Sequence, residues 1–394
     1  MAGDAARSRL PEGMFLGAMS GTSTDGVDAA LVRLRLEPTD GRRTTVLATA
    51  HRPFDAGLRA ELLSLNRSGA DELHRAALAT NRLAEVYATA CRAALDAAGV
   101  SADQVIAVGA HGQTVRHRPG EFDGLGYTIQ LDPGASLAER LGIDVISDFR
   151  VRDVAAGGQG APLVPAFHQQ LLAQAPGSGW KAVLNLGGIA NLSLLSPDGR
   201  LLGFDCGPGN VLLDGWAERH LGRPFDEQGR WASTGRVDDA LLARLMATPF
   251  LHQPPPKSTG RDLFDTGFVE RAVAAIVGRS DGAPTPVDVQ ATLAEFTARA
   301  VSASLAASTH VDGVVERLWV CGGGTRNADL LHRIMLAFPG TKVATTADIG
   351  IDPQWMEATA FAWLAACRVG GVAAGRPEVT GARGPRVLGV WHRA

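Results

Sequence analysis

Three glycine-rich turns, each entered from a short apolar run, are the strongest constraint in this 394-residue chain. They read Met19-Ser-Gly-Thr-Ser-Thr-Asp-Gly-Val-Asp28, Asn185-Leu-Gly-Gly-Ile-Ala-Asn191 and Cys321-Gly-Gly-Gly-Thr325. The entering runs are Met14 to Ala18, Lys181 to Leu184 and Arg317 to Val320, which read as strands. Where each run ends, glycine lets backbone N–H groups face a ligand. One such turn is ordinary punctuation. Three of them, two with hydroxyls or carboxylates beside the glycines, have the pattern of a phosphate clamp.

The surrounding elements predict an α/β chain with helices packed on mixed sheets. Phe15 to Ala18 and Val27 to Leu34 form a hairpin with a polar tip, followed by a strand at Thr44 to Ala50. Asn81 to Ala98 places Leu83, Val86, Tyr87, Ala90, Ala94 and Leu95 at helical spacing. Val105 to Ala110 is a short strand ending at His111-Gly-Gln-Thr114. The pattern then repeats. Lys181 to Leu184, Leu192 to Leu195 and Leu201 to Asp205 make a second strand cluster, and a helix over about 289–307 precedes the strand that delivers Cys321. Pro254 to Pro256 and Gly282 to Pro286 read as surface loops.

The length suggests two domains. A net charge of −3 with 20% charged residues gives no electrostatic case for nucleic acid or an acidic membrane surface. No run approaches the roughly 18 apolar residues that span a bilayer, so a soluble protein is expected. The four cysteines, Cys91, Cys206, Cys321 and Cys367, form no CxxC pair and fit a reducing cytosol. Residues 1–13 lack an apolar signal core and read as a loose extension, with Met14 as an alternative start.

Three constellations can carry chemistry. The first turn offers the hydroxyls of Ser20, Thr22, Ser23 and Thr24 and the amides of Gly21 and Gly26 to phosphate oxygens. No Walker GxxxxGK[ST] sequence occurs. Asp25 and Asp28 are oxygen donors of the kind that hold Mg2+ through water, and Asp25 also reads as a plain turn residue. The second is Asp148-Phe-Arg-Val-Arg-Asp153 with Gly157-Gly-Gln-Gly160. Its Arg150 and Arg152 suit a substrate carboxylate, while Asp148 and Asp153 equally suit a structural ion-pair network. The third is Gly203-Phe-Asp205-Cys-Gly-Pro-Gly-Asn210, where a strand-terminal carboxylate is placed as a general base or, alternatively, as a turn or cap residue. Asp214 reads as structural or surface. His111, His117, His168 and His252 show no close ligand spacing, and Cys206 and Cys321 read as small apolar fillers.

GAMSGTSTDGVDAALV, AHGQTVRH, DFRVRDVAAGGQGAPLVPAFH, NLGGIANLS, GFDCGPGNVLLD, PKSTGR, VCGGGTRN and WMEATAFAW together resemble one family, the anhydro-N-acetylmuramic acid kinases of the sugar kinase, Hsp70 and actin superfamily. The resemblance runs from about Met14 to Gly389, and the DFRVRD and GGQGAPLVPAFH run is its most specific part. It implies two ribonuclease-H-like (actin-like ATPase) domains with a cleft between them. The expected division is 14–147 with 368–394 for the first and 148–367 for the second. It also implies ATP-dependent phosphorylation of 1,6-anhydro-N-acetylmuramic acid at O6 with hydrolytic opening of the ring, in peptidoglycan recycling.

On this resemblance Gly21, Thr22, Ser23, Thr24, Asp25, Gly26, Val27 and Asp28 form the ATP-phosphate segment. Gly187 and Gly188 make the second phosphate loop, and Gly322, Gly323 and Gly324 the nucleoside-side loop. Asp205 matches the family's catalytic aspartate, and Glu357, Arg152 and Thr114 match substrate-side positions. Mg2+ as cofactor, a cytoplasmic location and a homodimer are implied in the same way. After Pro-Lys257-Ser-Thr-Gly-Arg261 the chain has Asp262 and Asp265 where the family often has Glu and Asn, so carry-over stops there. Two alternatives remain open at this level, a kinase of another amino sugar and an actin- or Hsp70-like nucleotide switch. A Rossmann dehydrogenase is disfavoured, because no GxGxxG opens a helix after a first strand.

Overall fold

A computed structural model describes residues 11–21, 23–35, 43–260, 263–276, 282–308, 311 and 313–394. Most of the expected N-terminal extension, Thr22, Arg261, Asp262 and the start of the 279–286 loop lie outside the described residues. The chain divides into two compact units, Met1–Gln170 with Trp355–Ala394, and Leu171–Gln354.

In the first unit β1 (Gly13–Met19), β2 (Gly26–Leu34) and β3 (Thr44–Pro53) form an antiparallel meander. The other edge of β1 pairs in parallel with β4 (Val105–Ala110). A separate hairpin of β5 (Gln113–Pro119) and β6 (Gly126–Leu131) follows, and β7 (Val145–Ser147) then pairs in parallel with β4. In the second unit β8 (Trp180–Leu186), β9 (Ile189–Leu195) and β10 (Leu201–Pro208) repeat the meander. There β11 (Val315–Cys321) joins β8 in parallel and β12 (Lys342–Thr345) joins β11. Near the C-terminus β13 (Val390–His392) returns to the first sheet beside β7.

The two sheets read β3-β2-β1-β4-β7 and β10-β9-β8-β11-β12, apart from the extra β13 edge. Each is a three-stranded meander extended by two parallel strands. That order is the ribonuclease-H-like fold, duplicated in the chain as in the actin-like ATPases. The parallel pairs need crossover connections, which is why helices separate β4 from β7 and β11 from β12.

The long helix Glu72–Ala98 ends at Gly99 in a left-handed conformation, φ 63°. It starts nine residues before the periodic stretch Asn81 to Ala98. Its first turns expose Leu73 and Leu78, so they carry no core-facing pattern from which to read a helix. Leu83, Tyr87, Ala90, Cys91, Ala94 and Leu95 are its buried face, which lies on β2 and β3. In the second unit Pro286–Ala306 opens with a capping box between Thr285 and Asp288 and a proline in the first turn. Its Leu293, Phe296, Ala300 and Val301 are buried against β9 and β10, in a core shared with Phe204, Leu251 and Phe264. Among the described residues no helix is long and apolar enough to cross a membrane.

The helix Met356–Val369 packs on β1 and β4 in the first unit, and two glycines make that contact possible. A Cβ at Gly17 would stand 1.8 Å from the Ala358 carbonyl oxygen, and one at Gly109 would stand 2.0 Å from that of Phe361. Helix backbone therefore rests directly on strand backbone.

Candidate active site

In the second unit two of the three glycine turns meet. The β8–β9 turn spends its carbonyls on the start of the helix Val211–Leu221. Gly188 O accepts from the N–H groups of Gly209 at 2.9 Å and Val211 at 3.1 Å, and Gly187 O accepts from Asn210 N–H at 2.8 Å. Asn210 Nδ2 also donates to Leu186 O at 2.9 Å and Gly187 O at 3.1 Å. The 321–325 turn packs against the same turn. A Cβ at Gly322, whose φ is +85°, would lie 2.4 Å from Asn185 Oδ1, and one at Gly324 would lie 2.6 Å from Leu186 Cβ. A Cβ at Gly323 would meet nothing within 4 Å, and one at Gly187 nothing closer than 3.4 Å. Packing therefore explains Gly322 and Gly324, while at Gly187 and Gly323 the side a Cβ would take is open.

Asp205 lies in β10 at a register shift between Asp205 and Gly207. Its side chain is nearly buried, with 8% exposure. Its N–H donates to Lys257 O at 3.1 Å, and its Oδ2 accepts the Thr259 N–H at 2.9 Å. The neighbouring helix Val211–Leu221 takes Asn210 as its N-cap, so Asp205 does not cap it. The Thr259 N–H fixes the direction of a carboxylate, a group that acts through oxygen lone pairs. Cys206 and Cys321 are buried and in no disulfide, and burial pushes the Cys206 thiol well up, which makes it inert filler.

In the first unit the β1–β2 turn is braced from below. Thr24 adopts φ 53° and donates its N–H to Gly21 O at 3.2 Å. Buried Ser20 donates its hydroxyl to Gln113 Oε1, and Gln113 Nε2 donates to Gly21 O at 3.3 Å. Arg150 Nε donates to His111 Nε2 at 3.0 Å, which places the imidazole proton on Nδ1, 3.2 Å from Ser20 O. Burial, reinforced by the Arg150 guanidinium, pushes the His111 pKa down to about 3, so the ring is neutral. Ser23 Oγ donates to Asp25 Oδ1 at 2.8 Å on the exposed rim of the turn. Asp28 instead faces His51 Nδ1 at 2.8 Å. A Cβ at Gly26 would clash with Arg52 O at 2.4 Å, whereas one at Gly21 would meet only Ser23 Oγ, at 3.8 Å.

The 148–160 segment separates its charges. Asp153 is fully buried and accepts the Gly160 N–H and the Thr380 hydroxyl, both at 2.8 Å. Arg150 Nη1 closes the same loop on Gly160 O at 2.9 Å. These two side chains build the loop through hydrogen bonds to its backbone. Arg152 is exposed and donates to Val387 O at 2.9 Å. Burial, with Asp132 nearby, raises the Asp148 pKa. Thr114 Oγ1 accepts from Gln130 Nε2 at 3.1 Å, and Glu357 stands half-buried in the first turn of the helix Met356–Val369.

The family profile of anhydro-N-acetylmuramic acid kinase matches residues 13–394. A curated protein of Bordetella petrii named anhydro-N-acetylmuramic acid kinase is 54% identical, covering 98% of this chain and 98% of its own length. One of that name from Pseudomonas putida is 48% identical, covering 97% and 99%. The chain belongs to the anhydro-N-acetylmuramic acid kinase family. Among solved structures, an activator of 2-hydroxyisocaproyl-CoA dehydratase from Clostridium difficile with bound ADPNP is similar at TM-score 0.43 and 15% identity, covering 90% of this chain and 94% of its own.

For this member of the anhydro-N-acetylmuramic acid kinase family, the sequence-derived residues are distributed over both units. Gly187, Gly188, Asp205, Gly322, Gly323 and Gly324 lie in the second. The 21–28 turn, Thr114, Arg152 and Glu357 lie in the first. Thr22 lies outside the described residues, and Val27 is a buried strand residue on β2. Asp214 sits in the first turn of Val211–Leu221. Among the described residues no three His, Cys, Asp or Glu side chains converge as a metal cage. Sequence reasoning missed Lys257 and Thr259, which hold Asp205, and Gln113, which braces the first turn. The PKSTGR motif was the available signal for the first two.

Proposed function

We propose that this protein transfers the γ-phosphoryl group of ATP to O6 of 1,6-anhydro-N-acetylmuramic acid while water opens the anhydro ring. The products are N-acetylmuramic acid 6-phosphate and ADP, and the reaction serves peptidoglycan recycling. The observation that carries the reading is the family match over 13–394, with Asp205 near the end of β10, the edge strand of the meander in a ribonuclease-H-like unit. Asp205 takes a proton from the water that attacks the anomeric carbon. The C1–O6 bond breaks, and O6 is left as the nucleophile toward phosphorus. Catalysis of this kind rests on positioning and charge neutralisation.

The glycine turns suit phosphate oxygens, because Gly21, Gly187 and Gly323 leave backbone open while neighbouring glycines serve packing. Thr114, Arg152 and Glu357 are assigned to the sugar. Bound Mg2+ would neutralise the transferring phosphate. It keeps several waters and takes other ligands from phosphates, so a single exposed carboxylate such as Asp25 is enough to hold it through water. A homodimer in the cytoplasm completes the reading.

The test is incubation with MgATP and 1,6-anhydro-N-acetylmuramic acid, following ADP and product mass, with Asp205→Asn alongside. A product heavier than the sugar by phosphate plus water is expected, with turnover lowered by about 10²- to 10⁴-fold in the variant. ADP release with a different amino sugar only would replace the substrate. ADP release without any phosphorylated sugar would favour the nucleotide switch.

A further inference from the structure

Lys257 is a cation where a cation is expensive. Its side chain is 7% exposed, and burial lowers its pKa, an effect opposed by nearby Cys206 and Asp205. Its three N–H donors face three acceptors at 3.1 Å: Phe250 O, Leu251 O and Ser304 Oγ. The ammonium also lies 4.8 Å from the centre of the Phe250 ring. Burying an ammonium costs several kcal/mol unless every donor is met, so a lysine that only filled space would be a poor choice beside a neutral residue.

The three acceptors come from two separate places. Phe250 and Leu251 belong to the short turn Pro249–His252, and Ser304 belongs to the helix Pro286–Ala306. Ser304 Oγ in turn donates to Cys206 O at 2.9 Å, on the strand residue after Asp205. From the other side, Lys257 O receives the Asp205 N–H, and two residues on Thr259 N–H reaches Asp205 Oδ2. The side chain thus anchors the loop whose backbone holds Asp205, and through Ser304 it also reaches the residue that follows Asp205.

We infer that Lys257 is a positioning residue for Asp205, fixing through the 257–259 loop the direction in which the carboxylate accepts its proton. This rests on the assignment of Asp205 as base. A carboxylate that accepts a backbone N–H is favoured in its charged form. Loosening the loop therefore both misplaces the base and moves the acid limb of the pH–rate profile upward.

The test uses the full chain with MgATP and 1,6-anhydro-N-acetylmuramic acid, comparing wild type, Lys257→Met, Lys257→Arg and Asp205→Asn. Lys257→Met is expected to lose roughly 100-fold in kcat, the scale of an ångström of misplacement, with KM for the sugar little changed. Its acid limb should move to higher pH, and Lys257→Arg should recover part of both effects. If Lys257→Met does not fold by circular dichroism, Ser304→Ala removes one acceptor and should shift the same limb by less. A profile of the folded variant that superimposes on wild type once scaled to active protein would overturn the inference, leaving only a structural lysine. Full activity of Asp205→Asn would instead sink the base assignment, a separate result.

Discussion

The two units share a strand order but use glycine differently. In the first sheet, Gly17 of β1 and Gly109 of β4 let the helix Met356–Val369 lie on the strands backbone to backbone. In the second, helix-to-sheet contact is made by side chains such as Phe204, Phe296 and Val301, and the close glycines sit at the strand ends. There Gly209, Gly322 and Gly324 let turns and a helix N-terminus crowd together. A duplicated topology thus constrains pairing without constraining packing, and glycine marks whichever contact must be backbone-tight.

The largest test of that difference is Gly17→Ala. The added Cβ meets the Ala358 carbonyl and, at 2.5 Å, the Ala362 nitrogen, both backbone atoms of a helix that cannot swing aside. Overpacking typically costs about 1–3 kcal/mol, and against helix backbone Gly17→Ala should fall at the top of that range, with a large fall in Tm on thermal unfolding. A Tm unchanged from wild type would mean that the helix does not rest on β1 as described.

Acidification separates the units next. His111 and His168 are held down to about 3 and His117 to about 4, in each case chiefly by burial, with Arg150 adding to the effect at His111 and His117. All three belong to the first unit. An unfolded histidine binds its proton near 6.5, while these bind theirs only at much lower pH. The stability they confer is thus present above 6.5 and lost as pH falls toward the folded values. Each histidine removes up to about 1.4 kcal/mol per pH unit across that window. In the second unit His220 is lowered too, by burial and Arg219, but it is largely exposed on its helix. Hydrogen-exchange protection factors, taken relative to the intrinsic exchange rate at each pH, should therefore fall between pH 7 and pH 5 in β1, β4 and the helix Met356–Val369 before β8 and β11. An equal fall in both units would remove the contrast.

Much of this was legible from the chain because strands buried on both faces read as apolar runs, and β1, β4, β8 and β11 are such strands. Asp205 was legible for a related reason, as a lone carboxylate ending an apolar run among glycines. Three things were not. Arg150 and Arg152 look equivalent in sequence, yet one points into its own loop at Gly160 and the other to Val387. Asp153 likewise gives no local sign of Thr380, which lies 227 residues away. Such partners are set by tertiary contact. The helix contact at Gly17 escaped for the same reason, since a glycine inside a strand pattern signals only a close approach, never by what.

The smallest effects distinguish glycines kept for packing from those kept for a ligand, within a single turn. Gly322→Ala places a Cβ 2.4 Å from Asn185 Oδ1 and asks a residue at φ +85° to be chiral, so it should cost about 1–2 kcal/mol of stability. Gly323→Ala meets no protein atom within 4 Å and should leave stability within about 0.5 kcal/mol of wild type. If the open face of Gly323 is where nucleotide lies, that silent substitution should nevertheless raise KM for ATP several-fold without changing KM for the sugar. A Gly323→Ala enzyme with unaltered KM for ATP would take the 321–325 turn out of the nucleotide site and leave it as a packing device alone. The two substitutions are informative because they are adjacent: stability should follow the first and nucleotide affinity the second, and a reversal would mean that the open backbone serves the fold and the crowded backbone serves the ligand.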